Sequence, residues 1–264
     1  MIEVVPEVYF IAKTQINNEE IERYFLDIGD PKFRPSLEVS DGENLAEIAG
    51  RMCYRSWQAY DPNKPNATNP NVSKVREGNE QYLGNVIKQK HGSILEHVHA
   101  TFIIRNISRI CTHEIIRHRA GISPSQESLR YVRLDELSFY MPEIFKENDT
   151  ARDLIIKTVE HLEEIQKKLA EIYDIDNIKD FHIKKQLTSA FRRVAPEGLA
   201  TSILLTGNMR AWRHIIEMRT SEAAEEEIRI VTAKIGDVLY NEYPNIFQDM
   251  SIDCGEYKFA NSKV

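Results

Sequence analysis

Cysteine is scarce in this chain, and what there is lies scattered. Cys53, Cys111 and Cys254 are odd in number, far apart and without a Cys-x-x-Cys pair, which excludes a disulfide framework and a zinc ribbon and leaves them to be read as buried thiols. Long apolar runs are missing as well. None approaches the roughly 18 residues a spanning helix needs, and Met1-Ile2-Glu3-Val4-Val5-Pro6 lacks the basic flank and apolar core of a secretion signal. A cytoplasmic protein with no membrane partner is expected. Nor is there an excess of positive charge: 34 Lys+Arg stand against 41 Asp+Glu, a formal net charge of −7, which argues against a general nucleic-acid binder. With no internal repeat and no shift of composition, the 264 residues read as a single domain, 1–264.

Against that acidic background one stretch runs the other way. From Arg117 to Arg133 there are four arginines and a histidine but a single acid, Glu127, and no lysine. Arginine favours planar, bidentate recognition of phosphate or a carbonyl edge over diffuse attraction, so the run predicts a site for a small anion.

The periodicity around it predicts alternating strands and helices. Val4 to Ala12 is β-branched and aromatic and reads as a strand. Asn44 to Tyr54 and Asn79 to Lys90 read as helices; between them, 61–71 carries three prolines and four asparagines and reads as an exposed loop insertion. Ala100 to Arg105 is strand-like. Ser108 is a good N-cap for a helix entering the basic run, along which Arg109, His113 and Arg117 recur at i, i+4 and i+8. Ala151 to Tyr173 is a long amphipathic helix, Asp180 to Val194 a second, stopped by Ala195-Pro196-Glu197-Gly198. Asn208 can cap a helix from Met209 to Arg219, and a last helix ends before Pro244.

A bare Arg-His-Arg tripeptide recurs by chance, but the whole string is more specific. Arg117-His118-Arg119, eight further residues, Ser128 and then Arg130-Tyr131 resemble the signature of the flavin-dependent thymidylate synthases, the ThyX family. His91-Gly92-Ser93-Ile94-Leu95-Glu96-His97 is similar to the segment upstream of that signature. Arg192-Arg193-Val194-Ala195-Pro196 and the helix from Asn208 to Arg219 are similar to two segments downstream. Ser123-Pro124 departs from the pattern, because a proline removes an N–H and biases the residue before it, and a locally altered turn is expected there.

The resemblance implies an α+β fold of the ThyX type, a mixed β-sheet flanked by long α-helices, assembled as a homotetramer with active sites at subunit interfaces. It also implies FAD as cofactor, NADPH and 5,10-methylenetetrahydrofolate as co-substrates, and dUMP as the substrate methylated to dTMP. Mapped residue by residue, His91, Ser93, Arg117, His118, Arg119, Asn208, Arg210 and His214 would contact FAD. Arg109, Glu114, Gln126, Glu127, Ser128, Arg130, Tyr131, Arg192 and Arg219 would form the dUMP site. Ser128 and Arg219 are the candidates for catalytic roles, Arg219 by polarising the pyrimidine. Ser128 is taken as a substrate-binding residue, since a serine nucleophile needs an adjacent base that the spacing does not assure.

Other residues have plainer readings. His91, His97 and His99 lack a carboxylate or cysteine at ligand spacing, so no metal is expected. Arg193 and Arg213 read as surface or intersubunit residues, Trp212 and Met218 as core, and Glu222 to Glu227 as an acidic helix start suited to the helix dipole. Two rival functions use the same arginines: a related flavoprotein leaving a hydroxymethyl group on a pyrimidine nucleotide, and a nucleotide- or nucleic-acid-binding module without catalysis.

Overall fold

A computed structural model of the chain describes residues 1–128, 137–262 and 264. The N-terminal β-branched run forms two strands, not one: β1 (Ile2–Val4) and β2 (Glu7–Lys13) part at Pro6, which has no N–H to give to a ladder. Three helices follow, α1 (Asn18–Asp27), α2 (Asp41–Tyr54) and α3 (Asn79–Lys88). The 61–71 stretch between α2 and α3 forms turns without helix or strand, and Ala67 pins it in an apolar cluster with Phe25, Ile48 and Trp57.

A 3-10 turn over Gly92–His97 leads into β3 (His99–Ser108), which passes without a loop into α4 (Arg109–Ile115). Next come β4 (Ile122–Gln126), β5 (Ser138–Tyr140), the short α5 (Glu143–Lys146), α6 (Asp149–Ile172) and α7 (Phe181–Phe191). The last turn of the second predicted helix tightens to 3-10 geometry over Arg192–Val194. Then β6 (Ala200–Asn208) passes directly into α8 (Met209–Thr220), followed by α9 (Glu226–Glu242) and the hairpin β7 (Met250–Asp253) and β8 (Glu256–Phe259).

The main sheet has the order β2-β3-β6-β4, with its pairs antiparallel; among the described residues parallel pairing is confined to β1 with β5. Ser123 and Pro124 do not form an altered turn. They lie in β4, opposite Thr206 and Leu205. Because β4 is an edge strand, a residue without an N–H is tolerated there.

Residues of β3, β6, α8 and α9 share one apolar core, with Phe102, Ile104, Trp212, Ile216, Val231 and Leu239 all buried. Each such side chain contributes about 1.5–3 kcal/mol on burial, so the sheet and these two helices form the stable body of the fold. Trp212 is core as expected, but Met218 is 45% exposed. Arg213, expected at the surface, is buried: it pairs with Asp249 at 2.8 Å, donates to Ile246 O at 2.7 Å and lies 4.2 Å from the Phe259 ring centre. Of the cysteines only Cys111 is buried. Along α6 the apolar stripe is partly covered: Val159 is buried, Ile155, Leu162, Ile165 and Leu169 are half-buried, and Ile172 is 75% exposed.

Candidate active site

The direct passage of strand into helix, used twice, builds the site. Ser108 ends β3 and caps α4, its Oγ accepting from Cys111 N at 3.0 Å; Asn208 ends β6 and caps α8, its Oδ1 accepting from Ala211 N at 2.9 Å. β3 and β6 are antiparallel neighbours in which Ser108 faces Ala200 and His99 faces Asn208, so α4 and α8 start from opposite ends of the pair. At 1.5 Å per residue the 12-residue α8 runs back about 18 Å, far enough to bring its last turn to the end of α4. There Arg219 meets Glu114 and His118.

Arg219 donates from Nε to His118 Nε2 and from Nη1 to Glu114 Oε2, each at 2.9 Å. Since His118 Nε2 accepts, the neutral ring carries its proton on Nδ1. Burial, then the charge of Arg219, then His214 push the His118 pKa down to about 4, so the imidazole stays neutral near pH 7. The two contacts engage Nε and Nη1 on different edges of the Arg219 guanidinium, and neither uses its Nη2. A recess of about 710 Å³ opens over this group, lined by His113, Glu114, Arg117, Arg219 and Ala223 to Glu225. It holds two arginines and two carboxylates, a balanced set of donors and acceptors.

A second recess, of about 400 Å³, adjoins the first. It is lined by Arg109, His113, Arg192, Arg193, Ala195 and Glu197, three arginines against one carboxylate. The first N–H groups of α4 place it: Arg109 N donates to Leu199 O and Ile110 N to Glu197 O, which ties the 197–199 backbone beside Arg109. Arg193, read from sequence as a surface or interface residue, faces this recess together with Arg192.

Sequence reasoning also passed over the start of α9. Glu225 caps α9 and lines the first recess, Glu226 accepts from Tyr140 OH at 2.5 Å, and Glu227 accepts from Ser108 N at 2.6 Å and from Ser108 Oγ. Glu227 is 1% exposed, and desolvation, its largest cause, pushes its pKa up to about 7. An acidic run at a helix start looks like dipole complementation alone; only its tertiary partner, Ser108, distinguishes it.

The residues mapped to FAD lie along α8 and the turns facing it. A Cβ built on Gly92 would stand 2.9 Å from Arg210 Nε, so the 91–93 backbone lies against Arg210, which also pairs with Glu96 at 2.6 Å. Gly121, at φ +71°, accepts Asn208 N on its carbonyl at 3.1 Å. His214 stands edge-on to His118, 6.2 Å between ring centres, and His91 stacks with Tyr54 at 6.2 Å. Ser93 and Arg119 are exposed. Arg117 lies past the end of α4, off the helical stripe, yet still lines the first recess.

The predicted dUMP residues are not all brought together within one chain. Arg109 and Arg192 share the second recess, Glu114 and Arg219 the first. Gln126, Glu127 and Ser128 line neither, and Gln126 Nε2 donates to Thr112 Oγ1 at 3.0 Å. Arg130 and Tyr131 lie outside the described residues.

Residues 37–245 match the family model described as thymidylate synthase complementing protein. The flavin-dependent thymidylate synthase of Mycobacteroides abscessus is 38% identical over 258 residues, 96% of this chain and 93% of that one. The chain belongs to the flavin-dependent thymidylate synthase family. The Corynebacterium diphtheriae enzyme of the same name is 34% identical over 80% of each chain. Among solved structures, the UMP/dUMP methylase PolB from Streptomyces cacaoi, bound with 5-Br dUMP, matches 94% of this chain with a TM-score of 0.64 at 15% identity, which shows a shared fold.

Proposed function

We propose that the chain is a flavin-dependent thymidylate synthase that converts dUMP to dTMP, with 5,10-methylenetetrahydrofolate as one-carbon donor and FAD reduced by NADPH. The observation that carries this reading is the Arg219 cluster, a guanidinium held at Nε by a neutral histidine and at Nη1 by a carboxylate beside an open recess. The balanced recess suits the carbonyl and N–H edge of a uracil, and the second recess, with three arginines against one carboxylate, suits the phosphate.

In this reading Arg219 donates to the pyrimidine carbonyl edge and stabilises negative charge that develops on the ring as C5 is alkylated. Its orientation is set beforehand by His118 and Glu114, which is how a fixed donor contributes most to a transition state. A protonated His118 could not accept from Arg219, so the depressed pKa keeps the arrangement intact at neutral pH. Arg109 and Arg192 hold the phosphate, and Ser128 binds substrate without acting as a nucleophile.

The donors along α8 and the 91–93 turn fit a flavin dinucleotide: Arg210 and Asn208 with Ser93 offer groups for a pyrophosphate, and His214 with His118 offers an edge for the ring system. Arg117, Arg119 and His91 complete the set. When bound, FAD supplies the hydride that completes the methyl group. Exposed apolar residues on α6 and α7, including Leu154 (65%), Ile172 (75%) and Phe181 (60%), support assembly as a homotetramer in which Gln126, Glu127 and Ser128 complete a neighbour's site. Among the described residues no helix is long and apolar enough to cross a membrane.

The test is dUMP-dependent oxidation of NADPH with FAD and methylenetetrahydrofolate supplied, and mass identification of the product. dTMP is expected. A hydroxymethyl nucleotide would redirect the reading to a related transferase, and the absence of both flavin absorbance and turnover would overturn it.

A further inference from the structure

His113 belongs to neither the flavin set nor the dUMP set carried over from the family, yet it is the residue that lines both recesses among those described. It stands one helical turn, about 5.4 Å, beyond Arg109 on α4, next in chain to Glu114. Its side chain is 54% exposed, so the ring is open to a ligand. Nδ1 lies 3.7 Å from Glu197 Oε2, which places a carboxylate on one side of the ring and turns Nε2 away from it. The groups around it are Arg109, Arg192, Arg193 and Glu197 in the second recess and Glu114, Arg117, Arg219 and Glu225 in the first.

A ligand that uses both recesses must pass His113. The two differ in charge balance, so a nucleoside monophosphate has one favourable direction: pyrimidine over Arg219 and Glu114, phosphate among Arg109, Arg192 and Arg193. The sugar then crosses at His113. We propose that His113 is a substrate-binding residue which, carrying a proton on each ring nitrogen in the complex, donates from Nε2 to the nucleotide where its sugar meets its phosphate and faces Glu197 with Nδ1. This rests on the dUMP reading above and adds a contact to it.

The experiment is titration of the flavin-loaded protein with dUMP, comparing the unmodified chain with His113→Ala, His113→Arg and Glu197→Gln. His113→Ala is expected to weaken dUMP about tenfold, the loss of one hydrogen bond to a charged group. His113→Arg, which keeps a donor, recovers most of that loss, and Glu197→Gln weakens dUMP two- to threefold, as roughly expected for a ring less firmly oriented. Flavin affinity and the thermal midpoint without nucleotide stay unchanged, which separates a contact from a structural role; the exposed position of His113 makes misfolding an unsuitable explanation for a loss. An unchanged dUMP affinity in His113→Ala, or a parallel loss of flavin affinity, would overturn the assignment. Failure of the unmodified chain to bind dUMP would overturn the nucleotide reading and this contact with it, whereas tight dUMP binding without turnover would overturn only the synthase reading.

Discussion

The two recesses that meet at His113 are built in different ways. The walls of the first come from α4, α8 and the start of α9, helices whose other faces bury Cys111, Trp212, Ile216 and Ile228 in the main core. Its central group, Arg219, is held by two hydrogen bonds. On one side the second recess is walled by Arg192 and Arg193 at the end of α7, a helix with no fully buried residue. The difference separates two tasks. A group that must meet charge developing on a ring has to be fixed in advance, whereas a phosphate is attracted by several arginines without any one of them being rigid.

That contrast can be broken by substitution. The largest effect is expected from Arg219→Ala, which removes an oriented donor and should lower kcat by about 10²- to 10³-fold, in line with the loss of a single donor to a developing charge. A loss confined to KM would place Arg219 in ground-state binding instead. Arg192→Ala should weaken dUMP about tenfold in titrations and lower kcat less, because neighbouring arginines share the phosphate. A kcat loss as large as that of Arg219→Ala would erase the distinction between the recesses.

Two groups behind the first recess, His118 on Arg219 and Glu227 on Ser108, have opposite pH signatures. His118 titrates near about 4 in the folded chain against an ordinary 6.5, so its contribution to stability is present above 6.5 and is lost as pH falls toward 4. Glu227, pushed up from 4.5 to about 7, holds its proton more tightly when folded, so its contribution is full below 4.5 and is lost as pH rises through 7. His118→Asn should therefore flatten the acid side of the stability profile and Glu227→Gln the side between 4.5 and 7, read from urea midpoints. Profiles that keep the shape of the unmodified chain would show that neither group carries this linkage. The smallest effect is expected at Asn208→Ala, about 1 kcal/mol of stability from loss of the α8 cap, seen as a lowered thermal midpoint.

Much of this was legible in the residues. Ser108 and Asn208 announced two helix starts, and the segment order around Arg117-His118-Arg119 announced the family. What local patterns could not carry was the meeting of distant groups. Glu227 shows this, since an acidic helix start reads as dipole complementation until Ser108 is found on its carboxylate. Arg213 shows the reverse: its chain neighbours place it on a polar face, and only Asp249, 36 residues away, makes its burial possible. Pro124 was misread because an edge strand cannot be told from a turn without knowing what pairs with it. Gln126 and Ser128, mapped to the substrate by resemblance, line neither recess, and nothing in their local pattern tells of that.

The central claim is the direction of the nucleotide, and bromine reports it directly. In crystals soaked with 5-bromo-dUMP, the anomalous bromine peak is expected in the recess of Glu114 and Arg219, with the phosphate density between Arg109 and Arg192. A bromine peak beside Arg192 and Arg193, with the phosphate over Arg219, would contradict the account.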